Sequence, residues 1–491
     1  MIKERRAKIN LPIVLRLIGW LLLIEAAFML FPFITDIITH DDSLKGFFMS
    51  IIITVVAGMC MAFGIKPRYS DLATREAILL TSLVWLIFSL FGMLPFVFSL
   101  PDIRIIDAYF EAVSGFTTTG ASIFIDVESL PHGLLLWRSL MQWVGGMGII
   151  LFTLAVLPML NHKGGIQLFN AEVSGITHDK LRPRISQTAK GLWLVYIIIS
   201  IAEFVLLLLG PMETFDALCQ TLSTVSTGGF STKNSSIGWW DSTYISYVVL
   251  LFMFLGSVNF QLLYRFGHGD FKALYKNDIF KCYIAVILTS SALIVFSLII
   301  SGKYDDLHQA FLCPLFHVVS GMSSTGFAIS NYEQWGQFTI VLFIILMFFG
   351  ACAGSTTSGA KIDRLIVLIK NTRNEFYRII HPNSITTVRV NNKVVPNEAV
   401  NKIIAFLAIF VMILAICTII LTLCGYSFID SVFASVSALS NIGYGAGITG
   451  FDGSFFYVAD VGKITLIFAM IAGRLELFTF LVIFTKYFWV K

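Results

Sequence analysis

Long apolar runs alternate with short polar segments along the whole chain. A run of about 20 apolar residues is long enough to cross a ~30 Å hydrocarbon core as a helix. The runs are continuous and do not alternate with period two, which favours helices. The pattern therefore predicts an all-α polytopic membrane protein. The first run, 11–33, is longer than the apolar region of a signal peptide, and we expect it to be a retained span.

The segments between the runs alternate in their content of Lys and Arg. Basic residues concentrate in 1–8, 65–76, 161–190, 264–281 and 361–402. Under the positive-inside rule these segments are cytoplasmic, and so are both termini. The four intervening polar segments 101–133, 211–243, 302–334 and 425–457 are then on the outer side.

These four outer segments resemble one another. They contain "FEAVSGFTTTGAS", "LCQTLSTVSTGGFS", "FHVVSGMSSTGFAIS" and "FASVSALSNIGYGAG", which align on Gly120, Gly228, Gly326 and Gly443. A serine lies six residues before the glycine in three of them, and Leu222 is the exception. The pattern predicts four units of helix, pore half-helix, loop and helix around one pore, preceded by an extra pair of spans at about 11–34 and 46–65.

The predicted boundaries follow from this alignment. They are an N-terminal two-helix unit at 1–70 and pore repeats 1 to 4 at 71–165, 166–270, 271–392 and 393–491.

The chemistry of the loops points to a cation. Non-helical backbone at membrane depth is tolerated when it is buried in protein or lines a water-filled cavity, and rings of backbone carbonyls can replace the hydration shell of potassium. Half-helices entering from outside direct their negative C-terminal ends inward. The acids Asp107, Asp216 and Asp430 are expected to cap three of them. The predicted filter residues, acting through carbonyls rather than hydroxyls, are Thr118, Thr119, Gly120, Ser226, Thr227, Gly228, Ser324, Thr325, Gly326, Asn441, Ile442 and Gly443.

Composition excludes other classes. Only 13% of the residues are charged, against about 25% in soluble domains. The seven cysteines are scattered without CxxC spacing, which predicts inert thiols. There is no clustered nucleophile–base pair, HExxH motif or P-loop, so we expect no enzyme, no cofactor bound by this chain besides potassium, and no nucleic-acid partner. His162, His178, His268 and His381 are expected to be solvated loop residues.

Residues 335–372 are predicted to form one helix with small residues in its middle. Gly350 and Gly354 make a GxxxG pattern, typical of a helix-packing face. Alternatively, the run of glycines and hydroxyls is an unwound segment that lines a cavity. The small and charged residues concerned are Gly350, Gly354, Ser355, Thr356, Thr357, Ser358, Gly359 and Lys361.

Several charged residues lie inside the predicted spans. Arg474 lies well inside the last span, either facing the pore or in an inter-helix ion pair. Glu476, two residues on, cannot face it on a helix. Glu25 and Glu203 are expected to be buried, hydrogen-bonded struts, and Lys463 is expected to snorkel.

The loops and three further motifs resemble the Trk/Ktr/HKT superfamily of potassium transporters, and most closely its bacterial Trk-type uptake subunit. The motifs are "QWVGGMGIILFTLAVLP" (142–158), "GACAGSTTSGAKIDR" (350–364) and "AGRLELFTFLVIF" (472–484). The extra N-terminal pair of spans is similar to the Trk type and is absent from the shorter Ktr type.

The resemblance implies several properties. These are a homodimer in the lipid bilayer of the bacterial cytoplasmic (inner) membrane, one pore per protomer, and a cytosolic nucleotide-binding partner ring that gates it. It implies an intramembrane gating loop at 350–361 and a gating role for Arg474. A glycine in all four loops goes with potassium selectivity. Proton or sodium coupling, as in a symporter, stays open as an alternative.

Overall fold

The computed structural model describes residues 9–66, 72–148, 185–303, 306–451 and 453–490. The basic N-terminal segment, most of the basic segment 161–190 with His162 and His178, and residues 149–158 of the "QWVGG" motif lie outside the described residues. The described chain is helical apart from one two-stranded ribbon, in which Arg389–Val390 (β1) pairs antiparallel with Lys393–Val394 (β2). The predicted all-α class is confirmed.

The N-terminal unit is a hairpin of two long helices. Helix α1 spans Leu11–Thr39 and α2 spans Leu44–Gly64, matching the predicted spans, with α1 extending to Thr39. The helices cross at small residues, since a Cβ atom on Gly19 would lie 2.5 Å from the backbone nitrogen of Ala62. Glycine at the crossing lets the two backbones approach closely.

Four helical units follow the hairpin. The first contains α3 (Thr74–Gly92), α4 (Leu94–Ser99), α5 (Ile105–Phe116) and α6 (His132–Gly146). The second contains α7 (Ile185–Leu208), α8 (Thr214–Val225), a 3₁₀ turn (Ser236–Trp240), α9 (Thr243–Ser257), α10 (Phe260–Gly267) and α11 (Phe271–Tyr275). The third contains α12 (Asp278–Ile300), α13 (Leu307–Met322), a 3₁₀ turn (Tyr332–Trp335), α14 (Gln337–Phe349) and α15 (Ile362–Ile380), followed by the ribbon. The fourth contains α16 (Asn397–Leu423), α17 (Phe428–Ser440), 3₁₀ turns Gly447–Thr449 and Phe455–Tyr457, α18 (Asp460–Arg474), α19 (Phe478–Leu481), a 3₁₀ turn (Val482–Phe484) and α20 (Lys486–Trp489).

Each unit contains one half-helix, α5, α8, α13 or α17, that is too short to span a bilayer. These helices have 12, 12, 16 and 13 residues, which corresponds to roughly 18–24 Å. Within the described ranges, six other helices are long and apolar enough to cross a membrane, or eight spans if each of two bent pairs counts as one. The half-helices therefore enter the membrane region and leave it through a loop.

The starts of the half-helices differ from the predicted caps. Asp107 lies inside the first turn of α5, where its carboxylate accepts from Arg104 Nε at 2.7 Å rather than capping the helix. Asp216 and Asp430 also lie in the first turn of their helices and do not cap them, and Ser427 caps α17. The remaining half-helix, α13, is capped by a carboxylate, because Asp306 accepts a hydrogen bond from the backbone N–H of His308.

The long helix predicted over 335–372 is wrong, because it is two helices. Helix α14 ends at Phe349 and α15 begins at Ile362. Gly350 and Lys361, at the two ends of the gap, both have φ of 64°, a conformation that a right-handed helix cannot continue through. The outgoing helices of the second and fourth units break too. The α9–α10 pair bends by 106° and the pair formed by α18 and residues 478–484 bends by 111°.

Two intramembrane carboxyl groups are buried as expected. Glu203 is fully buried and lies beside Thr224, but neither of its carboxyl oxygens has a hydrogen-bond partner among the described residues. Glu25 is also buried, but neither of its carboxyl oxygens has a hydrogen-bond partner in the part of the chain that the structure describes. The hydrogen-bonded strut predicted for Glu25 and for Glu203 is therefore not seen at either residue.

Lys463 does not snorkel to the surface. Its side chain is fully buried on α18, where the ammonium lies 2.5 Å from Asp107 Oδ1 and 2.8 Å from the carbonyl of Phe456. Arg104 lies beside the same carboxylate and also reaches Asp460 at 2.9 Å. These contacts tie the start of the first half-helix to the last long helix, across the whole length of the sequence.

Replacing Lys463 with Met should destabilise the fold, because a buried carboxylate loses its closest cation. Breaking a buried pair costs about 3–5 kcal/mol, and we expect the lower end here because Arg104 remains. Thermal melting of the detergent-solubilised protein measures this. The control is Lys486→Met at an exposed position. Adding Asp107→Asn to Lys463→Met should recover part of the loss, and a Lys463→Met melting temperature equal to that of the parent protein would contradict the assignment.

Candidate functional site

The four loops that follow the half-helices share one backbone conformation. In each loop a non-glycine residue with φ near 54° is followed, two positions later, by a glycine with φ near 82°. The non-glycine residues are Thr118 (55°), Thr227 (54°), Ser324 (52°) and Asn441 (53°), and the glycines are Gly120 (81°), Gly229 (82°), Gly326 (85°) and Gly443 (80°). A left-handed non-glycine residue is uncommon, so four at the same place identify one repeated structure.

The loops also share one hydrogen bond. The amide between the two left-handed residues donates to the carbonyl of a serine on the preceding half-helix. The four bonds are Thr119 to Ser114 (2.8 Å), Gly228 to Ser223 (2.8 Å), Thr325 to Ser320 (3.0 Å) and Ile442 to Ser437 (2.9 Å). All four loops are thus held to the C-terminal ends of their half-helices in the same way.

This geometry corrects the alignment of the second loop by one residue. Gly229, not Gly228, matches the glycines of the other loops. Leu222 was the one residue that broke the pattern of a serine six positions before the glycine. In the corrected register Ser223 takes that position, so a serine precedes all four glycines by six residues. Ser226 then matches Thr117, and its hydroxyl bonds back to the carbonyl of Leu222 at 2.7 Å. In the second loop the candidate residues therefore become Thr227, Gly228 and Gly229.

The four glycines close the loops into a ring. A Cβ atom on any one of them would collide with a backbone carbonyl of the next loop. The pairs are Gly120 with Gly228, Gly229 with Thr325, Gly326 with Ile442, and Gly443 with Thr119. The order of contacts is loop 1, 2, 3, 4 and back to 1. Glycine is required here both by the positive φ and by the absence of space for a side chain.

The threonine hydroxyls of the ring are engaged inside the protein. Thr119 Oγ1 lies 2.8 Å from Thr117 Oγ1 and accepts from Asn441 Nδ2 at 2.9 Å. Thr325 Oγ1 lies 2.7 Å from Ser323 Oγ. These hydroxyls bond to side chains within loops 1 and 3, and through Asn441 they join loop 1 to loop 4, so the backbone carbonyls are the groups available for a ligand.

A buried ion pair supports the first two loops. Arg138 Nε on α6 lies 2.7 Å from Glu111 Oε1 on α5, and both side chains are at most 2% exposed. Glu111 also accepts from the amide of Ile123 at 2.9 Å, and Arg138 donates to the carbonyl of Ser231 at 3.1 Å. The pair thus joins the segments after loops 1 and 2. No role for Glu111 or Arg138 could be assigned from the sequence, although Arg138 lies four residues before Gln142 on the same face of α6.

An aromatic cluster supports loops 3 and 4. The hydroxyl of Tyr444 donates to the carbonyl of Phe327 at 2.5 Å and lies 3.0 Å from His317 Nδ1. The hydroxyl of Tyr332 donates to the carbonyl of Gly445 at 2.5 Å. Tyr444 belongs to the "NIGYG" stretch of loop 4 and Phe327 follows loop 3, so these bonds cross from one loop to the next. His317 was missed because a single histidine in an apolar helix carries no pattern.

The segment Gly350–Lys361 lies against the ring. Thr356 Oγ1 lies 3.2 Å from Thr227 Oγ1 of loop 2, and the amide of Ser358 donates to Ser324 Oγ of loop 3 at 3.3 Å. Gly350 and Gly354 have positive φ and are not helical. The helix-packing interpretation of the GxxxG pattern is therefore wrong, and the segment is unwound, as the alternative predicted. We call residues 350–361 the crossing segment.

Arg474 joins the crossing segment to two other elements. Its guanidinium donates to Thr118 Oγ1 of loop 1 at 3.1 Å, to the carbonyl of Thr356 at 2.8 Å and to the carbonyl of Gly145 at the end of α6 at 2.6 Å. The guanidinium carbon lies 5.5 Å from the ring centre of Trp85. The cation therefore lies between loop 1, the crossing segment and the first unit.

Glu476 fixes the far end of the crossing segment. Its carboxylate accepts from Lys361 Nζ at 2.9 Å and is also bonded to Arg364. Glu476 has φ of 55°, so the chain turns sharply after Arg474. Because of this turn, Arg474 contacts loop 1 and Thr356 while Glu476 contacts Lys361 and Arg364. The two residues do not face one another, as predicted.

Comparison with known proteins agrees across nearly the whole chain. Residues 43–489 match the family model described as TrkH, cation transport protein. The chain is 34% identical to the Trk system potassium uptake protein TrkH of Salmonella typhimurium over 481 residues, covering 96% of this chain and 98% of that protein. It is 33% identical to the Trk system potassium uptake protein TrkG of Escherichia coli, covering 97% and 98%. The crystal structure of the potassium transporter TrkH from Vibrio parahaemolyticus matches with a TM-score of 0.88 at 30% identity, covering 98% of this chain and 100% of that one.

Proposed function

The chain belongs to the TrkH cation transport family, and we propose that it takes up potassium across the bacterial cytoplasmic membrane through the ring of four loops. One observation carries the proposal. Four loops with the same left-handed backbone contact one another in a closed cycle at the ends of four half-helices. Such a ring can present backbone carbonyls to one ion from four sides.

The half-helices add to the field in the ring. Each runs toward the loops, so its negative C-terminal end faces the place where an ion would sit. Their last residues precede the candidate filter, which in corrected register is Thr118–Gly120, Thr227–Gly229, Ser324–Gly326 and Asn441–Gly443. The helix ends therefore favour a cation in the ring. No carboxylate is needed there, and a carboxylate would bind the ion too tightly to release it.

The choice of potassium rests on the family and on the glycines. Named relatives are potassium uptake proteins, and all four loops retain the glycine that goes with potassium selectivity in the superfamily. No loop has a complete TVGYG sequence, and "NIGYG" of loop 4 is the nearest match. We therefore propose a filter that prefers potassium over sodium by a smaller factor than a regular potassium-channel filter.

We further propose that the crossing segment and Arg474 form the gate. The segment touches loops 2 and 3 and is tied to loop 1 through Arg474. A cationic guanidinium beside the ion path repels potassium electrostatically, so conduction would require the cation or the segment to move. The charged contacts of Glu476 with Lys361 and Arg364 would anchor the segment at its cytoplasmic end while its middle moves.

Assembly and regulation are proposed from the family resemblance. We expect a homodimer with one pore in each protomer, and a cytosolic nucleotide-binding ring as partner. The basic segment 361–402, which includes the end of α15 and the β1–β2 ribbon, would face that partner on the cytoplasmic side. The nucleotide would bind to the partner rather than to this chain.

Proton- or sodium-coupled symport is the second candidate function. Such transporters commonly contain inverted repeats around a site at the midplane. Here the four loops share one backbone geometry and one hydrogen-bond pattern, which favours repeats that all enter from the same side and hence a pore.

Substituting Gly120 with Ser should raise sodium permeability relative to potassium. The added side chain must displace the carbonyl of Gly228, and serine is strained at φ of 81°. Uptake of rubidium, a potassium substitute, and of sodium into liposomes with the purified full chain measures the ratio. Gly302→Ser is the matched control, because Gly302 has positive φ but open space around it. Unchanged selectivity in Gly120→Ser would remove Gly120 from the filter.

Removing the gate should raise flux when the partner is absent. Arg474→Ala deletes the cation, and deletion of residues 354–359 removes the middle of the crossing segment, so rubidium uptake should rise severalfold in each. Arg265→Ala, in an exposed ion pair with Asp270, serves as control. Flux equal to that of the parent chain in both gate variants would exclude the crossing segment as a barrier.

A pore and a symporter should differ in their reversal potentials. In liposomes the reversal potential of a pore follows the potassium gradient and does not respond to a pH gradient at constant potassium. A displacement produced by the pH gradient alone would favour proton coupling, whereas a displacement produced by a sodium gradient is also expected of a pore that admits some sodium. The Gly120→Ser variant supplies the control, because its reversal potential should move with sodium.

A further inference from the structure

Loop 2 lacks a side chain that the other three loops use. The residue before the left-handed glycine is Thr119, Thr325 or Ile442 in loops 1, 3 and 4, but Gly228 in loop 2. The two threonine hydroxyls bond to neighbouring side chains, and Ile442 is completely buried. In these loops, a side chain at this position packs the loop against its surroundings.

The backbone does not require glycine at position 228. Gly228 is not among the residues with positive φ, unlike Gly229 beside it. Two consecutive glycines instead give the backbone of loop 2 more conformational freedom than that of the other three loops. A loop of this composition needs support from elsewhere to hold the same backbone as its three counterparts.

Gln142 fills the space that a side chain on Gly228 would fill. A Cβ atom on Gly228 would lie 2.5 Å from Gln142 Oε1 and 2.8 Å from Gln142 Cβ, and would collide with the amide carbon. Gln142 comes from α6 of the first unit and is completely buried. The side chain of one repeat therefore takes the place of a side chain missing from the next.

The amide of Gln142 is bound at both ends to loop 2. Its Nε2 donates to the carbonyl of Gly228 at 2.7 Å, and its Oε1 accepts from the amide of Phe230 at 3.1 Å. The carbonyl can only accept and the backbone N–H can only donate, so the orientation of the amide is determined. These two bonds enclose Gly229 and fix the peptide groups on both sides of it.

We infer that Gln142 is a positioning residue that holds the Gly228 carbonyl in the filter and so sets the ion selectivity of loop 2. The inference rests on the proposed function of the ring. A carbonyl oxygen has two lone pairs, so the Gly228 oxygen can accept from Gln142 and still face an ion. Without Gln142 the Gly228 carbonyl and the Phe230 N–H lose their partner in a buried place. The peptide is then free to rotate, and the ring loses one defined ligand.

The test measures rubidium and sodium uptake by the full chain in liposomes. Gln142→Ala should lower the rubidium-to-sodium ratio about tenfold, the size expected when a buried polar contact worth about 1.4 kcal/mol is lost. Gly228→Thr alone should also lower the ratio, because its side chain meets the Gln142 amide. Gln142→Ala combined with Gly228→Thr should recover most of the ratio, since threonine then supplies the side chain as Thr119 and Thr325 do.

A matched glutamine controls for general loosening of the core. Gln220 is completely buried behind the same loop, but its amide binds the hydroxyl of Ser231 and not a carbonyl of the ring. Gln220→Ala should keep the ratio of the parent chain. If Gln142→Ala does not fold, Gly228→Ala tests the same contact from the loop side, and its ratio should fall.

The results separate this inference from the proposed filter. An unchanged ratio in Gln142→Ala, an equal loss in Gln220→Ala, or a double variant no better than Gln142→Ala would each overturn the role of Gln142. An unchanged ratio in the fallback variant Gly228→Ala would do the same. If Gly120→Ser shifts the ratio while Gln142→Ala and Gly228→Ala do not, the filter stands and the inference about Gln142 fails. If Gly120→Ser also has no effect, the proposed filter itself is wrong.

Discussion

The need to satisfy backbone polar groups away from water dominates this structure. A loop at membrane depth has lost its helical hydrogen bonds and cannot exchange them for water. Each of the four loops meets this constraint with the same bond, from an amide between two left-handed residues to a serine carbonyl on the half-helix. The bond uses the N–H group and leaves the loop carbonyl available. The left-handed residues and the glycines of the repeat are consequences of that geometry, whereas the bond to the serine uses only its backbone carbonyl.

The supports behind the ring are not symmetric, although the ring nearly is. Loops 1 and 2 rest on the buried Glu111–Arg138 pair and on Gln142, whereas loops 3 and 4 rest on aromatic hydroxyls from Tyr444 and Tyr332. The crossing segment adds another asymmetry, because the third outgoing helix is interrupted by a long unwound segment, whereas the second and fourth bend at a short break. Four similar units therefore present one common ring while each quarter is stabilised by different chemistry.

Sequence alone predicted the class, the N-terminal pair of spans and the half-helices, because apolar length and local composition determine them. It predicted Gly120, Gly326 and Gly443 correctly as equivalent positions but chose Gly228 over Gly229, since two adjacent glycines offer no local way to decide the register. Only the φ angles and the bond from Gly228 to Ser223 decide it. Long-range partners were missed for a similar reason. The pairing of Lys463 with Asp107, or of Arg138 with Glu111, depends on which helices pack together, which periodicity does not specify.

The contacts between glycines and neighbouring carbonyls also bear on how the protein is made. The cycle closes when Gly443, from the fourth unit, reaches Thr119 of the first. The buried bond between Lys463 and Asp107 joins the same two units. During synthesis, loops 1 to 3 can be inserted with one side of the ring still open and with the carboxylate of Asp107 awaiting its lysine. Loop 1 and the start of the first half-helix therefore gain their last contacts only after the final quarter of the chain has been synthesised.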